Sequence, residues 1–375
     1  MPNMTIMTTA DAIVKWSIAQ KVLIDDQFVP YFPATFAIFG HGNALSIGQA
    51  LSNESKNMTT YRGQTEEGMA LAAVAYAKAM RRQQVGIVTT SIGPGATNVI
   101  TAAAVAMANR LPMLILVGDT FQSRNPDPVL QQIEHFDQPS ITVNDAFRPV
   151  VRYWDRITSP SQILTSLPQA LSTMLDPATC GPVCIALPQD IQAESFDFPD
   201  EFFEEKIVKI PRPRADSSEL AMAATLIAKA KKPIIVAGGG IHYSLAEKEL
   251  SEFASEFSIP VVETMAGKSS LVWNDPALVG PLGVTGSDPV NQLVDESDLI
   301  IAIGTRLQDF TTGSWTLFGN KKIIAINTAR FDAIKRHGIP VVADAKAALV
   351  ELRGLLTSTD RTSWMTRATE LKTQF

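Results

Sequence analysis

Short, nearly continuous apolar runs alternate with helical segments along most of this 375-residue chain. Runs such as Met113–Gly118 and Val183–Leu187 are apolar on both faces, which is typical of parallel strands covered by helices on each side. The alternation of strand and helix predicts parallel sheets, and the length predicts two or three domains. We therefore expect an α/β protein with two three-layer α/β/α domains and mainly parallel sheets.

The first half of the chain contains four predicted strands and five predicted helices. The strands are Ala34–Phe39, Val85–Thr89, Met113–Gly118 and Val183–Leu187, and the helices are Ala10–Gln20, Ala44–Leu51, Glu66–Met80, Ala96–Ala108 and Ser161–Leu175. The second half repeats the pattern. Its predicted strands are Pro233–Ala237, Ile259–Glu263, Leu299–Ile303, Lys322–Ile326 and Val341–Val342, and its helices are Ser217–Ala230, Ala246–Phe257 and Ala345–Leu356.

A charged, proline-bearing segment separates the two halves. Pro199, Pro211 and Pro213 lie within it, and prolines of this kind are typical of a crossing between domains. We therefore predict a first domain over 1–196, a linker over 197–216 and a second domain over 217–357. The polar tail 358–375 is predicted to begin a further helical connection.

Composition excludes several classes of protein. The net charge is −6 and no Lys/Arg run or basic stripe is present, so we predict no nucleic-acid partner. No apolar run approaches the length of a membrane span and no secretory leader is visible, so the predicted location is the cytoplasm. Cys180 and Cys184 are predicted to lie too far apart in one strand for a disulfide. The four histidines are scattered, so no metal site is predicted.

Glu66 is the most unusual candidate residue. It opens an alanine-rich helix together with Glu67, and a surface acid complementing the helix dipole is the ordinary interpretation of such a residue. However, Glu67 can fill that surface role, and the alanines indicate a helix buried at an interface. A carboxyl buried there would be favoured in its neutral form, which can donate a hydrogen bond to a ring nitrogen.

Two glycine-containing turns follow predicted strands in the first domain. Gly93 and Gly95 belong to the segment Ser91-Ile-Gly-Pro-Gly-Ala-Thr-Asn98, which needs glycine backbone freedom whether or not it binds a ligand. Gly40 precedes His41 and Asn43 at the end of the first predicted strand. Ligands in open α/β sheets bind at such strand ends, although hydrogen bonding within the turn explains these side chains equally well.

A third glycine run, Gly238-Gly239-Gly240, resembles a nucleotide-binding loop only superficially. Its spacing does not match the dinucleotide fingerprint, so a tight turn is the favoured interpretation. The Gly304-Thr305-Arg306 segment, with Asp309 and Phe310 after it, is similar: it either faces an active site or lies at an interface.

Several segments together resemble a known family. They are Ile38–Asn43, Tyr61–Ala70, Ser91–Asn98, Asn109–Pro112, Pro126–Glu134, Asn144–Arg148, Tyr153–Arg156, Ile185–Asp190, Gly283–Gly286 and Gly304–Thr312. The chain resembles the trihydroxycyclohexanedione hydrolases of myo-inositol breakdown, which are thiamine diphosphate enzymes related to acetohydroxyacid synthase and pyruvate oxidase. A departure is Thr65, where family members usually carry Asn or His.

The resemblance implies a pyrimidine-binding domain followed by a central domain. It implies that Glu66 is the catalytic acid, which hydrogen-bonds the cofactor's aminopyrimidine ring, and that Gly40, Gly93, Gly95 and Asn98 also contact thiamine diphosphate. By the same resemblance His41, Asn43 and Gln131 line the substrate pocket. Mg²⁺ is expected in a third, diphosphate-binding domain, whose Gly-Asp-Gly motif is not found in this sequence, and a homodimer or homotetramer is expected.

The resemblance implies hydrolysis of a carbon–carbon bond that opens the ring of the dione to 5-deoxy-glucuronate, and we expect these 375 residues alone to be inactive and weak in cofactor binding. Two alternatives stay open. One is a carboligase like acetohydroxyacid synthase, and the other is a non-catalytic subunit that kept the fold. Retention of Glu66 argues against the second alternative, because an unused buried acid costs stability.

Overall fold

The chain divides into two compact units, Met1–Pro211 and Arg212–Phe375. The structure is a computed structural model and describes residues 3–374. Residues 1, 2 and 375, which the predicted ranges 1–196 and 358–375 include, lie outside the described residues. Each unit is built around its own six-stranded parallel sheet.

The first unit contains eleven of the described strands, most of them short. They are β1 (Met4–Thr8), β2 (Gln20–Ile24), β3 (Gln27–Pro30), β4 (Ala34–Ile38), β5 (Thr59–Arg62), β6 (Ile87–Thr90), β7 (Met113–Asp119), β8 (Tyr153–Arg156), β9 (Pro182–Pro188), β10 (Ser195–Pro199) and β11 (Lys206–Val208). Its helices are α1 (Thr9–Ala19), α2 (Gly40–Asn43), α3 (Ile47–Asn53), α4 (Glu66–Ala79), α5 (Pro94–Thr97), α6 (Ile100–Asn109), α7 (Ile163–Leu175) and α8 (Gln189–Ala193).

The main sheet of the first unit has the order β5-β4-β6-β7-β9-β8, and all its neighbouring strands run parallel. Every residue of β7 and β9 is buried, as expected for central strands covered on both faces. One face packs against α1, α3 and α7 in a continuous apolar core. Helices α4 and α6 contact each other and cover the opposite face.

Smaller sheets flank the main sheet. Strand β1 pairs antiparallel with β10, and β2 pairs with both β3 and β11. Because β10, a 3₁₀ turn over Asp200–Phe203 and β11 all belong to the first unit, the predicted linker 197–216 is wrong over much of its length. Phe198 and Phe202 are buried in the core of the first unit, which explains why this segment folds onto it despite its charge.

The second unit repeats the three-layer arrangement. Its strands are β12 (Pro233–Ala237), β13 (Val261–Glu263), β14 (Leu278–Pro281), β15 (Leu299–Ile303), β16 (Lys322–Asn327) and β17 (Ile339–Val342). Its helices are α9 (Ser217–Lys229), α10 (Gly240–Ser244), α11 (Glu247–Glu256), α12 (Asp288–Glu296), α13 (Asp309–Thr312), α14 (Arg330–Ala333), α15 (Ala345–Leu355) and α16 (Thr362–Lys372).

The second sheet has the order β14-β13-β12-β15-β16-β17, and all its pairs are parallel. Alternate residues of β12 enter different cores: Ile235 packs with α9, α11 and α15, whereas Val236 packs with α12 and α16. This alternation places helices on both faces of the sheet. The predicted fold class of two three-layer α/β/α domains is thereby confirmed.

The C-terminal tail is part of the second unit. Helix α16 contributes Trp364, Ala368 and Leu371 to a buried core, and the Trp364 indole Nε1 donates to the Pro233 carbonyl at 2.8 Å. The tail is helical, as predicted, but it packs on the second sheet rather than leading away from it. The predicted second domain, 217–357, therefore stops short of a helix that covers its sheet.

The two cysteines are buried free thiols. Cys184 lies within β9, whereas Cys180 precedes that strand, so the prediction that both share one strand is wrong. Burial raises the pKa of both thiols, and for Cys184 it raises the pKa well above the ordinary value. Both side chains therefore stay protonated near neutral pH and act as small apolar groups.

Candidate active site

Glu66 lies in the first turn of α4, directly after the Thr65 N-cap. The Thr65 hydroxyl accepts a hydrogen bond from the Gly68 backbone N–H at 3.1 Å, which fixes where the helix begins. Within this chain Glu66 is half-buried and Glu67 is exposed. The predicted full burial of Glu66 is therefore not reached within the single chain, where its neighbours Thr65, Glu67 and Gly68 are exposed as well.

The glycine turn after β6 lies beside the Glu66 carboxylate. The Asn98 side-chain amide Nδ2 donates to Glu66 Oε2 at 3.0 Å. A methyl group built on Gly95 would lie 3.4 Å from Glu66 Oε1, so glycine at this position leaves that edge of the carboxylate uncovered. Three of the predicted site residues, Glu66, Gly95 and Asn98, are thus neighbours.

Gly93 makes the turn possible. Its φ of +61° lies in the region that favours glycine, and a side chain there would overlap the backbone oxygen of Gln131. Gln131 also has a positive φ of +67°, and its side-chain Oε1 accepts from the Ser91 hydroxyl at 3.4 Å. Gln131 is therefore beside the glycine turn, where its side chain is exposed.

The Gly40 turn at the end of β4 packs against Ser91, which follows the end of β6. Gly40 has a φ of +51°, and a Cβ at this position would lie 2.6 Å from the Ser91 side chain. The Ser91 hydroxyl in turn accepts from the Gly42 N–H at 3.4 Å. Ser91 therefore joins the two glycine turns. His41, between Gly40 and Gly42, is exposed.

Asn43 is fully buried and has hydrogen bonds at both ends of its amide. Its Nδ2 donates to the Thr89 hydroxyl at 2.7 Å, and its Oδ1 accepts from Gln192 Nε2 at 3.1 Å. The Gln192 amide also donates to the Gly42 and Leu187 carbonyls. This geometry gives Asn43 a supporting role beneath the turn, and its predicted place in a substrate pocket stays a prediction.

The prediction from sequence missed three residues of this network. Ser91 directly follows β6 and lies two residues before Gly93, so its position at a strand end was a usable signal. Thr89 lies two residues earlier on the same strand. Gln192 comes from α8, about 150 residues from Asn43 in sequence, and no local pattern points to it.

A long loop, residues 120–142, follows β7 and carries Gln131. It borders a pocket of about 210 Å³ that is lined by both polar and apolar side chains, among them Arg124, Asp127, His135 and Thr142. Two large apolar side chains of the loop are strongly exposed: Leu130 at 72% and Phe136 at 92%. The loop therefore has little apolar core of its own and depends on polar contacts for its position.

The base of the 120–142 loop is held by charged groups, here called the Arg156 cluster: Asp119, Asp145 and Arg156. Arg156 Nε donates to Asp119 Oδ2 at 2.8 Å, and its Nη2 donates to Asp145 Oδ2 at 2.7 Å. Burial alone would lower the pKa of Arg156, but the charges and hydrogen bonds of the two carboxylates raise it overall. The guanidinium stays charged in the folded chain.

The pKa of the Asp145 carboxyl is lowered overall. Burial would raise it, but hydrogen bonds from Arg156, the Thr142 N–H and Arg148 favour the charged form and outweigh burial. Arg148 approaches from the exposed side, at 2.9 Å from Asp145 Oδ1. Both arginines also lie over the Trp154 ring, with guanidinium-to-centroid distances of 3.7 Å for Arg148 and 5.0 Å for Arg156.

In the second unit the glycine run is a packing feature. A Cβ on Gly240 would lie 2.5 Å from the Gly304 Cα, and the Gly240 N–H donates to the Gly304 carbonyl at 2.9 Å. The two strand-end loops therefore approach each other backbone to backbone. This geometry supports the tight-turn interpretation over a nucleotide loop.

Residues 3–374 contain no helix that combines the length and apolarity that crossing a bilayer requires. The same residues contain no group of three or more His, Cys, Asp or Glu side chains gathered as metal ligands.

Two models of known protein families match the chain, one in each structural unit. Residues 35–141 match the family model described as "Thiamine pyrophosphate enzyme, N-terminal TPP binding domain". Residues 220–352 match the one described as "Thiamine pyrophosphate enzyme, central domain", and the two matches together cover more than half of the chain. The chain belongs to the thiamine pyrophosphate enzymes.

Within the thiamine pyrophosphate enzymes, the chain is similar to proteins named 3D-(3,5/4)-trihydroxycyclohexane-1,2-dione hydrolase. It is 46% identical to the one from Clostridium botulinum over 94% of this chain and 55% of the relative. It is 46% identical to a Bacillus cereus relative, which carries that name with the suffix 1, and 45% identical to the Clostridium tetani one, each over 92% of this chain and 54% of the relative. The resemblance seen in the sequence is thereby confirmed.

The chain spans about half the length of the curated relatives that it matches. The first family match covers the start of α4, which carries Glu66, and the turn that carries Gly93, Gly95 and Asn98. The second covers most of the second unit, from α9 to α15. The two matched regions fall in different structural units, in the order expected for a thiamine pyrophosphate enzyme.

Proposed function

We propose that this chain supplies the pyrimidine-binding and central domains of a thiamine diphosphate-dependent hydrolase acting on a carbon–carbon bond. The proposed substrate is 3D-(3,5/4)-trihydroxycyclohexane-1,2-dione, whose ring the enzyme would open to 5-deoxy-glucuronate in myo-inositol degradation. The main support is the arrangement of Glu66 beside the Gly93–Asn98 turn in a chain 46% identical to hydrolases named for this substrate.

The residues around Glu66 fit the pyrimidine end of thiamine diphosphate. The cofactor needs a carboxyl group at a ring nitrogen and a close backbone approach, and this chain offers both in one place. Asn98 holds Oε2 of the carboxylate, and Gly95 leaves the Oε1 edge without a side chain over it. A carboxyl group that is half-buried in one chain becomes fully buried when a ligand or a second chain covers it.

When bound, thiamine diphosphate supplies an electron sink for carbon–carbon cleavage. The chain's own contribution would be to hold a proton and to orient groups. Glu66 would hold the proton at Oε1 and share it with the pyrimidine nitrogen, while the Asn98 amide keeps the carboxylate in one orientation. Gly40 and Gly93 would set the backbone course of two adjacent strand-end turns beside the ring, because their positive φ and their contacts with Ser91 and Gln131 leave no room for a side chain.

Substrate contacts are proposed for His41 and Gln131. Both side chains are exposed beside the turns that flank Glu66, so each can reach a ligand placed there. Asn43 would not contact the substrate directly but would hold the Gly40 turn in place through its hydrogen bonds with Thr89 and Gln192. Polar side chains of this kind suit a polyhydroxylated ring, because every hydroxyl removed from water needs a hydrogen-bond partner.

Mg²⁺ and the diphosphate group are proposed to bind outside these residues, in a diphosphate-binding domain of a second copy. The proposed assembly is therefore a homodimer or a homotetramer. Exposed alanines on α4, such as Ala72 and Ala75, support a close contact between copies because they let helices approach closely. The proposed location of the whole protein is the cytoplasm.

The proposal is tested by calorimetric titration of thiamine diphosphate with Mg²⁺ into wild type, Glu66→Gln and Glu67→Gln. Glu67 is the matched control, since it is the adjacent acid of the same helix and is exposed. We expect weak binding to wild type, equal binding to Glu67→Gln, and binding about five- to tenfold weaker to Glu66→Gln, because an amide cannot share a proton with the ring nitrogen as a carboxyl group can. Equal affinity for all three chains would contradict the role of Glu66.

Activity distinguishes the remaining alternatives. We expect residues 1–375 alone to open no ring, because the anchor for Mg²⁺ and diphosphate is proposed to lie elsewhere. With a diphosphate-binding domain supplied, consumption of the dione would support the hydrolase. Formation of acetohydroxy acids from 2-oxo acids without dione consumption would identify a carboligase, and cofactor binding with neither reaction would identify a non-catalytic subunit.

A further inference from the structure

We propose that Arg156 is a positioning residue that fixes both ends of the 120–142 loop and thereby keeps Gln131 against the Gly93 turn. The inference rests on the proposed function only in naming the space beside Glu66 as the cofactor site. The sequence segments Asn144–Arg148 and Tyr153–Arg156 stood out in the resemblance without a role. The structure brings them together in the Arg156 cluster.

Both ends of the loop meet at one guanidinium. At the start of the loop, Asp119 Oδ1 accepts from the Thr120 N–H at 2.9 Å while its Oδ2 accepts from Arg156 Nε. At the end of the loop, Arg156 Nη1 donates to the Ser140 carbonyl at 3.2 Å and Nη2 donates to the Thr142 hydroxyl at 2.8 Å. Arg156 therefore connects residues that are separated by more than twenty positions in sequence.

An arginine is required here by charge and by shape. Asp119 is 1% exposed, so its carboxylate needs a charged partner to offset its burial. The planar guanidinium of Arg156 presents several N–H groups in fixed directions, and it donates to four acceptors at once. A lysine would offer one ammonium group and could not reach all of these acceptors.

The middle of the 120–142 loop contacts the glycine turn of the candidate site through Gln131. The Gln131 backbone oxygen occupies the space where a Gly93 side chain would be, and the Gln131 side chain accepts from Ser91. Since Leu130 and Phe136 on either side are exposed, apolar packing does not hold this part of the loop. A change at the base is thus transmitted along the loop to Gln131 and the glycine turn.

The experiment measures how fast trypsin cuts the loop. Arg124 is the one Lys or Arg between residues 120 and 142, and it is exposed. We expect Arg156→Gln to raise the rate of cleavage after Arg124 about tenfold, because charged hydrogen bonds at the loop base are lost. Arg156→Lys keeps a positive charge beside Asp119, so it should stay folded and show an intermediate rate.

Arg148→Gln is the matched control. Arg148 binds the same Asp145 and lies over the same Trp154 ring, but its side chain is 56% exposed and its bonds are to the cluster rather than to the loop. Cleavage after Arg124 should stay at the wild-type rate in this variant. Wild-type cleavage in both Arg156 variants would overturn the proposal, as would an equal increase in the Arg148 variant.

A second readout separates positioning from general stability. Thiamine diphosphate with Mg²⁺ is titrated into each variant, and melting temperatures are recorded alongside. We expect weaker binding for Arg156→Lys than for Arg148→Gln even where the two melt at the same temperature. Equal binding by those two variants would overturn the positioning role. Failure of the wild-type chain to bind at all would count against the proposed function, and cleavage after Arg124 would then decide on Arg156 by itself.

Discussion

Glycine residues, more than polar ones, create the space around Glu66. Gly93 has to be glycine because its φ is positive and Gln131 occupies the side-chain position. Gly95 is different: its backbone tolerates a side chain, and a Cβ would make only an ordinary contact with Glu66 Oε1 at 3.4 Å. Gly93 is therefore needed for the fold, whereas Gly95 is needed so that a ligand can reach the Glu66 carboxylate.

The two glycines are expected to respond differently to alanine. Gly93→Ala should lower the free energy of unfolding by about 2 kcal/mol or more through backbone strain and overlap with Gln131. Gly95→Ala should leave stability unchanged or raise it by up to about 1 kcal/mol, since alanine favours a helical turn. It should nevertheless weaken thiamine diphosphate binding. Urea unfolding and calorimetric titration of both variants check this, and unaltered binding by Gly95→Ala would refute the access role.

Individual site residues differed in how far the sequence could identify them. Glu66, Gly93, Gly95 and Asn98 lie in two motifs whose order along the chain is informative, and the structure brings Glu66, Gly95 and Asn98 into contact. Arg156 lies in one of the segments that carry the resemblance, but that segment does not point to the 120–142 loop, and Gln192 lies outside every such segment. Their partners lie far away in sequence, and a network of this kind depends on how strands align in the folded sheet.

At the scale of elements, the 120–142 loop is attached to the edge of the sheet at several points. Besides the Arg156 cluster, Asp190 accepts from the Gln122 and Ser123 N–H groups, each at 2.9 Å. Burial of Asp190 would raise its carboxyl pKa, but these hydrogen bonds outweigh burial and lower it overall. The carboxylate form of Asp190 therefore stabilises the start of the loop.

The loop is expected to loosen in acid. Because the folded-state pKa of Asp190 is depressed, its contribution to stability is fully present above the unfolded carboxyl pKa of about 4, and it is lost as pH falls through the folded value. Hydrogen exchange at Gln122 and Ser123 should therefore accelerate below about pH 4 beyond its intrinsic pH dependence. In Asp190→Asn this extra acceleration should disappear, at a cost near 1 kcal/mol at neutral pH. Identical profiles for the two chains would contradict the assignment.

Buried elements were predictable and edge elements were not. The central strands of both sheets are apolar on both faces, so the sequence located them within two residues. Strand β5 has four exposed residues and no apolar pattern, and it forms only because β4 offers a free edge. The predicted helix Ala44–Leu51 begins three residues too early: α2 ends at Asn43 and α3 begins at Ile47, because the backbone leaves helical geometry at Ser46.

At the scale of the whole molecule, each unit has its own sheet, and the second is completed by its C-terminal helix. Arg361, 3% exposed, donates to three backbone carbonyls: those of Ile227 and Ala230 at the end of α9 and that of Phe257 after α11. Helix ends leave such carbonyls without partners inside the helix. The Arg361 side chain therefore caps the C-terminal ends of α9 and α11 and attaches the start of α16 to them.

Replacing Arg361 should destabilise the second unit selectively. Arg361→Met removes the donor to the Ala230 and Phe257 carbonyls and leaves the Ile227 carbonyl only the Ala230 N–H at 3.3 Å. We therefore expect the free energy of unfolding of the second unit to fall by about 3 kcal/mol. Arg367→Met, within α16, is the control, because its ion pair with Glu296 is partly exposed and should contribute little. Differential scanning calorimetry should show a lower transition temperature for Arg361→Met alone. Equal shifts in the two variants would argue against the capping role.

The contact between Gln131 and Gly93 divides the 120–142 loop into two segments of similar length, which meet again at Arg156. The entropy lost in closing a loop is small for short segments and is lost during folding rather than when a ligand arrives. A surface made of irregular backbone can therefore be ready for a ligand in advance, and the ligand's affinity is not reduced by the need to order it.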